Sequence, residues 1–112
     1  MSLVLQTEAP PLRRDAAGAL RIGNSRVLLE LVIRAFEDGA TPETINQQYP
    51  TTSLADLYSA IAYYLRHRSE IDAYLADREQ QAREVRDRIE DAQADLAEVR
   101  QRLLARRPAL AA

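Results

Sequence analysis

The C-terminal part of the chain contains neither glycine nor proline at residues 69–107. Because these two residues interrupt helices most strongly, the whole stretch can form a single helix. At about 1.5 Å per residue, about forty residues give a helix about 60 Å long. We predict a long helix over residues 69–107, followed by a short tail at residues 108–112.

This predicted helix carries an apolar seam with the heptad spacing of a coiled coil. The seam residues at the a and d positions are Ile71, Leu75, Ala82, Val85, Ile89, Ala92, Leu96, Val99 and Leu103. Arg78 interrupts the d series once. A stripe this narrow on so polar a helix is not stable in isolation, so we expect it to bury against another helix.

Two kinds of partner would cover the seam: a second copy of the chain in a coiled coil, or a groove of another protein that accepts an amphipathic helix. Folding back onto the chain's own small domain would leave most of so long a seam uncovered. Ala82 and Ala92 weaken a self-paired seam and favour the close approach of a partner. In a parallel dimer Asp95 would attract Arg100, but the other flanking pairs say little, so the orientation stays open.

Upstream, residues 28–68 are predicted to form three shorter helices. The first spans about residues 28–38, before Gly39. The second begins at Thr41 and Pro42, since threonine is a good N-cap and proline fits the first helical turn. The predicted buried face of the first helix contains Leu28, Leu29, Leu31, Val32, Ala35 and Phe36.

The third helix is predicted to begin after Ser53, with Asp56 three positions later in the first turn. Its predicted buried stripe consists of Leu54, Leu57, Tyr58, Ile61, Tyr64 and Leu65. Three short helices in this order form a trihelical unit, which is also the arrangement of helix-turn-helix DNA readers.

Residues 1–27 are predicted to form an N-terminal arm and a β-hairpin that pairs residues 12–14 with residues 20–22. Asp15 to Gly18 has the composition of the connecting turn. A partly ordered tail over residues 1–18 is the alternative. The predicted fold is therefore mainly α, with a short N-terminal β-ribbon, a trihelical core and a long C-terminal helix.

The composition argues against enzymatic function. The chain has no cysteine, which excludes thiol nucleophiles, and with one histidine, His67, a metal site would have to be built mostly from carboxylates. No glycine-rich phosphate loop and no nucleophile motif is present, so we expect no cofactor and no catalytic residue. No segment has the roughly 20 apolar residues of a membrane span, and we expect a cytoplasmic protein without a membrane partner.

DNA binding receives mixed support from the charges. Arginines and acids balance in residues 1–68, so the basic excess that gives most non-specific DNA affinity is missing. Asp56 would face the same way as the candidate contacts and repel the DNA backbone. The candidates are Arg13, Arg14, Arg21, Arg26, Thr51, Thr52, Ser53, Ser59, Tyr63 and Arg66.

Four segments resemble the DUF433 family: IGNSRV at 22–27, GATPETI at 39–45, YP at 49–50 and SLADLYSAIAYY at 53–64. This is a family of small bacterial proteins whose genes often neighbour those of PIN-like toxins and whose members are regarded as VapB-like antitoxins. The resemblance implies a homeodomain-like helix-turn-helix core, a β-ribbon that can pair between two chains, and a toxin-binding C-terminal segment.

On these grounds the expected function is that of an antitoxin-like protein. It would be a homodimer that neutralises a PIN-type toxin through its C-terminal helix, and repression of its own operon is a further role that the resemblance leaves open. The alternative is a dimeric structural or scaffolding protein without DNA binding.

Overall fold

The computed structural model of the protein describes residues 2–106. Within this range the chain forms two short strands followed by four helices, which confirms the predicted mainly α fold with an N-terminal hairpin and a long C-terminal helix. The elements are β1 (Leu12–Arg14), β2 (Leu20–Ile22), α1 (Leu29–Glu37), α2 (Pro42–Gln48), α3 (Leu54–Arg66) and α4 (Arg68–Ala105). The predicted tail at 108–112 lies outside the described residues.

The hairpin has the predicted strands and register. β1 and β2 pair antiparallel, with Leu12 opposite Ile22 and Arg14 opposite Leu20. Asp15 organises the turn, because its Oδ1 accepts hydrogen bonds of 2.9 Å from the backbone N–H groups of both Ala17 and Ala19. The turn therefore forms through the local side-chain bonding that aspartate favours in such positions.

The predicted helix starts at α2 and α3 are confirmed by their side-chain caps. The Oγ1 of Thr41 accepts a hydrogen bond from the backbone N–H of Thr44, and Pro42 occupies the first turn of α2. The Oγ of Ser53 accepts a hydrogen bond from the backbone N–H of Asp56 at the start of α3. Each cap satisfies a helical N–H that would otherwise lack a partner.

The buried face of α3 differs from the predicted one. Leu54, Tyr58 and Leu65 are 39%, 49% and 49% exposed, so these three predictions are wrong. The residues of α3 that are buried are Leu57, Ala60, Ile61 and Tyr64. These four residues have the spacing i, i+3, i+4, i+7 of one helical face. The predicted face has a similar spacing but consists of large side chains, so it did not include the small Ala60.

α1 shows a similar difference. Leu29, Val32 and Ile33 are its buried residues, whereas Leu31, predicted to be buried, is 37% exposed. Ile33 did not belong to the predicted face. Together with Ile22, Ile45 and the buried residues of α3, these side chains form one core, and β2 packs against both α1 and α3.

The first turns of α4 also belong to this core. The chain divides into two compact units, one ending at Leu75 and the other beginning at Ala76. Ile71 is only 5% exposed, and Leu75 is half-buried against the same core. The N-terminal unit therefore extends beyond the predicted boundary at residue 68.

A polar cluster ties α1, α3 and the start of α4 together. The Tyr64 hydroxyl lies 2.9 Å from Glu37 Oε1 and 2.9 Å from Asp72 Oδ1, and its single proton is donated to one carboxylate at a time. Arg68 forms a 2.8 Å ion pair with Glu37, and its guanidinium carbon lies 5.3 Å from the centre of the Tyr64 ring. Hydrogen bonds from Tyr64 and then Arg68 lower the pKa of Glu37, so this carboxylate stays ionised.

Candidate nucleic-acid groove and partner-binding helix

A groove of about 440 Å³ separates the turn before α1 from the turn before α3. It brings together four of the predicted DNA contacts, Arg26, Thr51, Thr52 and Ser53. The other residues lining it are Ile22, Asn24, Ser25 and Asp56. Both turns are irregular backbone held on a helical scaffold, which is a common place for binding residues.

The turn on one side of the groove depends on Gly23 and Ser25. Gly23 has a φ of +52°, and a Cβ at this position would collide with the carboxylate of Asp56. The Ser25 hydroxyl is buried, donates a 2.6 Å hydrogen bond to the carbonyl of Ile22 and accepts one from the N–H of Val27. Glycine therefore suits the positive φ of this turn and its contact with the Asp56 side chain, and Ser25 holds the shape of the turn.

On the other side of the groove, two of the three predicted hydroxyl contacts have structural roles. Thr52 is only 6% exposed, and its hydroxyl donates a 2.6 Å hydrogen bond to the carbonyl of Tyr49. Asn46 holds the same turn by donating a 2.7 Å hydrogen bond to the carbonyl of Thr52. The Ser53 hydroxyl caps α3. Thr51 is exposed, and within residues 2–106 its hydroxyl has no structural bond of this kind.

Three of the predicted DNA-contact arginines bond to the hairpin and its turns. Arg13 donates hydrogen bonds to the carbonyls of Gly23 and Ser25, and Arg14 donates one to the carbonyl of Gly18. Arg21 forms a 2.8 Å ion pair with Asp15 and also donates to the carbonyl of Arg26. Each guanidinium has five N–H donors, so these contacts leave others available, but Asp15 offsets the charge of Arg21.

Arg26 and Arg66 differ from these three. Within residues 2–106 the structure gives neither guanidinium a hydrogen bond or an ion pair, and both side chains are exposed. Arg26 lines the groove at the start of α3, whereas Arg66 is the last residue of α3, about 20 Å away at about 1.5 Å per residue. The two free arginines therefore lie near opposite ends of α3, with the exposed Ser59 between them.

Tyr63 has a different environment from the one predicted for a base or phosphate contact. It is half-buried and lines a second hollow of about 310 Å³, together with Arg14, Leu20 and Tyr74. Its ring stacks on His67 with 4.1 Å between ring centres. His67 ends α3 as its C-cap, and its Nδ1 lies 3.0 Å from the Tyr63 carbonyl oxygen. Both rings thus contribute to packing at this end of α3.

The second candidate surface is the apolar seam of α4 beyond Leu75. Every residue from position 79 to position 106 is exposed, although the seam includes large aliphatic side chains. The exposed fractions are 50% for Val85, 51% for Ile89, 67% for Leu96, 48% for Val99 and 64% for Leu103. Ile71 and Leu75, predicted as part of the seam, instead pack in the core of the N-terminal unit.

The match to a known family covers the trihelical core. Residues 15–64 match the model of DUF433, a family described as proteins of unknown function. Over this segment the chain is similar to the DUF433 family. The match starts in the hairpin turn and ends at Tyr64, so the groove lies within the DUF433 segment and the seam of α4 lies outside it. No curated protein and no solved structure matches the chain.

Residues 2–106 contain neither a cluster of metal-binding side chains nor a helix that could span a membrane. In this range no three residues with metal-binding side chains cluster closely enough to hold an ion. None of the helices in the same range combines the length and apolar character required to cross a bilayer.

Sequence reasoning did not identify all the residues that shape these surfaces. Asn46, which holds the turn beside the groove, gave no signal because its partner is a backbone carbonyl in another turn. Asn24 lines the groove, and its place between Gly23 and Ser25 is typical of a turn but does not indicate a binding residue. Such contacts depend on how α2 packs against α3, which local patterns do not specify.

Proposed function

We propose that this protein is a non-enzymatic, antitoxin-like binding protein that neutralises a PIN-type toxin through α4. The exposed seam of α4 is the observation that carries the proposal. Its side chains from Val85 to Leu103 lie on one helical stripe and are about half exposed or more. An amphipathic helix of this kind binds by laying its apolar stripe in a groove of its partner.

Family and surface chemistry support this assignment together. The DUF433 resemblance implies toxin binding by a C-terminal segment, and here the C-terminal segment is a helix with an uncovered apolar stripe. Binding would bury aliphatic side chains that otherwise face water, and burial of apolar surface is the main favourable term in most protein association. The arginines and acids that flank the stripe would then determine which partner fits.

The test is co-expression with the PIN-like nuclease encoded beside the protein's own gene. We expect the wild-type chain to restore growth and an Ile89→Asp/Leu96→Asp variant to fail, because two charges would enter the buried stripe. Ala94→Asp/Gln101→Asp is the matched control, since it adds two charges at heptad positions opposite the seam. The absence of a neighbouring PIN-like gene, or neutralisation that survives the seam substitutions, would overturn the proposal.

Repression of the protein's own operon is the second part of the proposal, and the groove supports it. Asn24, Arg26 and Thr51 are exposed donors in it, while Asp56 places a carboxylate in the same groove. A groove with one cation and one anion gives little non-specific attraction to DNA, so binding would depend on few phosphate contacts. Arg66 would add one contact at the far end of α3.

Fluorescence anisotropy with the protein's own promoter at low salt tests this second part. We expect Arg26→Ala and Arg66→Ala each to weaken binding and to reduce its salt dependence, because each removes a phosphate contact. Arg83→Ala on the outer face of α4 is the control. Absence of salt-dependent binding at micromolar protein would end the DNA proposal and leave the toxin proposal intact.

A dimeric scaffolding protein is the competing function. It is favoured by the charges that flank the seam of α4, because these can attract opposite charges on a second copy of the same helix.

A further inference from the structure

We propose that the seam of α4 is covered by α4 of a second copy of this chain in antiparallel orientation, with Ala82 of one copy opposite Val99 of the other. The inference concerns the chain by itself and does not rest on the toxin or DNA roles. A partner that uses the same seam would have to displace the second copy.

Side-chain size favours this pairing within the seam. In the antiparallel register each a residue faces a d residue of the second copy. Ala82 then lies opposite Val99, Ile89 opposite Ala92, and Leu96 opposite Val85. Each alanine therefore meets a larger β-branched residue, so no layer consists of two small side chains.

In parallel pairing the same seam residues would pack less well. Each seam residue would face its own counterpart, so Ala82 would meet Ala82 and Ala92 would meet Ala92, and both layers would be underpacked. Arg78, at a d position, would also lie opposite Arg78 of the second copy. The antiparallel register instead places Leu103 opposite Arg78, whose aliphatic stem can pack against it.

The flanking charges favour the same orientation. Antiparallel helices bring e positions against e positions and g against g. In the proposed register Glu79 faces Arg100 and Arg88 faces Asp95. The two-fold symmetry repeats both pairs. The remaining flanking pairs, Arg86 with Gln93 and Gln81 with Arg102, contain no like charges. Parallel pairing gives one attractive combination, Asp95 with Arg100.

Like charges disfavour the two neighbouring antiparallel registers. A shift of one heptad in one direction places Arg86 against Arg86 and Arg88 against Arg88. A shift in the other direction places Arg88 against Arg102 and Asp95 against Asp95. Each exposed ion pair contributes little alone, but the contrast between attraction and repulsion fixes orientation and register.

Ion pairs within the helix are compatible with this arrangement. Glu79 lies 3.7 Å from Arg83, and Arg102 lies 2.6 Å from Glu98. Arg83 and Glu98 occupy b and c positions, outside the contact between the helices. Glu79 can therefore attract both Arg83 of its own helix and Arg100 of the second copy.

Cysteine crosslinking of the full chain tests the register, since the sequence contains no native cysteine. We expect an Ala82→Cys/Val99→Cys variant to form a disulfide-linked dimer on mild oxidation. Either single variant should not, because identical residues would lie about 25 Å apart along the antiparallel pair at about 1.5 Å per residue. Efficient crosslinking of a single variant, or none of the double variant, would overturn the proposal.

A charge swap provides an independent readout, the dimer dissociation constant from sedimentation equilibrium at low salt. Arg88→Glu should raise this constant several-fold, because the introduced carboxylate would face Asp95. Adding Asp95→Arg should restore dimerisation in the antiparallel dimer, whereas in a parallel dimer the introduced arginine would face Arg100. Arg83→Glu makes the same charge change outside the contact. An equal effect of this control, or no rescue by the double variant, contradicts the pairing.

Discussion

The phenolic oxygen of Tyr74 accepts a 2.6 Å hydrogen bond from the backbone N–H of Leu20. Leu20 belongs to β2 and Tyr74 to the second turn of α4, so the bond fastens the start of the long helix to the hairpin. Ile71, one turn earlier, is buried in the core. The contacts of Ile71 and Tyr74 explain why the N-terminal unit extends to Leu75.

We predict that Tyr74→Phe lowers the free energy of unfolding by about 1 kcal/mol, because it leaves the partly buried Leu20 N–H without its acceptor. Urea denaturation measures the loss. Tyr58→Phe is the matched control, since the Tyr58 hydroxyl bonds the exposed Glu43. Equal losses in the two variants would argue against a structural role for the Leu20 bond.

Ile71 and Ile89 provide a contrast within one helix. Ile71→Ala should lower the free energy of unfolding of the N-terminal unit by about 2–5 kcal/mol, since it empties a buried site. Ile89 is 51% exposed and lies in the other unit, so Ile89→Ala should leave that transition unchanged. Tyrosine fluorescence during urea unfolding follows the N-terminal unit. If Ile71→Ala lowered the unfolding free energy only slightly, the start of α4 would be attached to the core less tightly than the burial of Ile71 indicates.

The cap of α2 gives a third prediction. Thr41→Ala should cost about 1 kcal/mol of unfolding free energy, because the Thr44 N–H loses its acceptor at the start of the helix. Gln47→Ala changes an exposed residue of the same helix and serves as the control in the same thermal unfolding experiment. A Thr41→Ala protein as stable as the control would show that the cap contributes nothing.

The hairpin turn should respond to acid. The Arg21 guanidinium, followed by the N–H groups of Ala19 and Ala17, lowers the pKa of Asp15 below its usual 3.8. A folded-state pKa below the unfolded one gives stability that is present above 3.8 and lost as the pH falls through the folded value.

Asp15→Asn should therefore be less stable than wild type near neutral pH, and the difference should shrink well below pH 3.8. Urea unfolding of both proteins between neutral pH and a pH below 3.8 measures this difference in unfolding free energy. The other carboxyl groups titrate in both proteins, so their contributions cancel. A difference that is independent of pH would show that the charge of Asp15 does not stabilise the turn.

Local chemistry was sufficient to predict much of the fold. The hairpin register and the starts of α2 and α3 depend on residues close in sequence, such as Asp15 with Ala17 and Ser53 with Asp56. These signals act over a few residues, and their stereochemistry is the same in any protein. The sequence therefore specifies where the hairpin turn, α2 and α3 begin almost independently of what later packs against them.

Other features depend on contacts between residues that lie far apart in the sequence, and local patterns do not specify these contacts. The rotation of α3 is set by neighbours such as Glu37, which bonds Tyr64 from 27 positions away. The same holds for the candidate groove. Arg21 could be identified as a cation from the sequence, but its bonds to Asp15 and to the Arg26 carbonyl follow from the folded hairpin and turn. Arg26 and Arg66 are exposed, and their exposure likewise follows from the folded chain and not from a local pattern.

The most direct measurement of the role of α4 is sedimentation equilibrium of the full chain beside Ile89→Asp/Leu96→Asp and its control Ala94→Asp/Gln101→Asp. We predict dimers for the wild type and the control, and a monomer with an unchanged N-terminal unfolding transition for the seam variant. A monomeric wild-type chain, or a seam variant that keeps the mass of a dimer, would contradict the assignment of this seam as the contact between two copies.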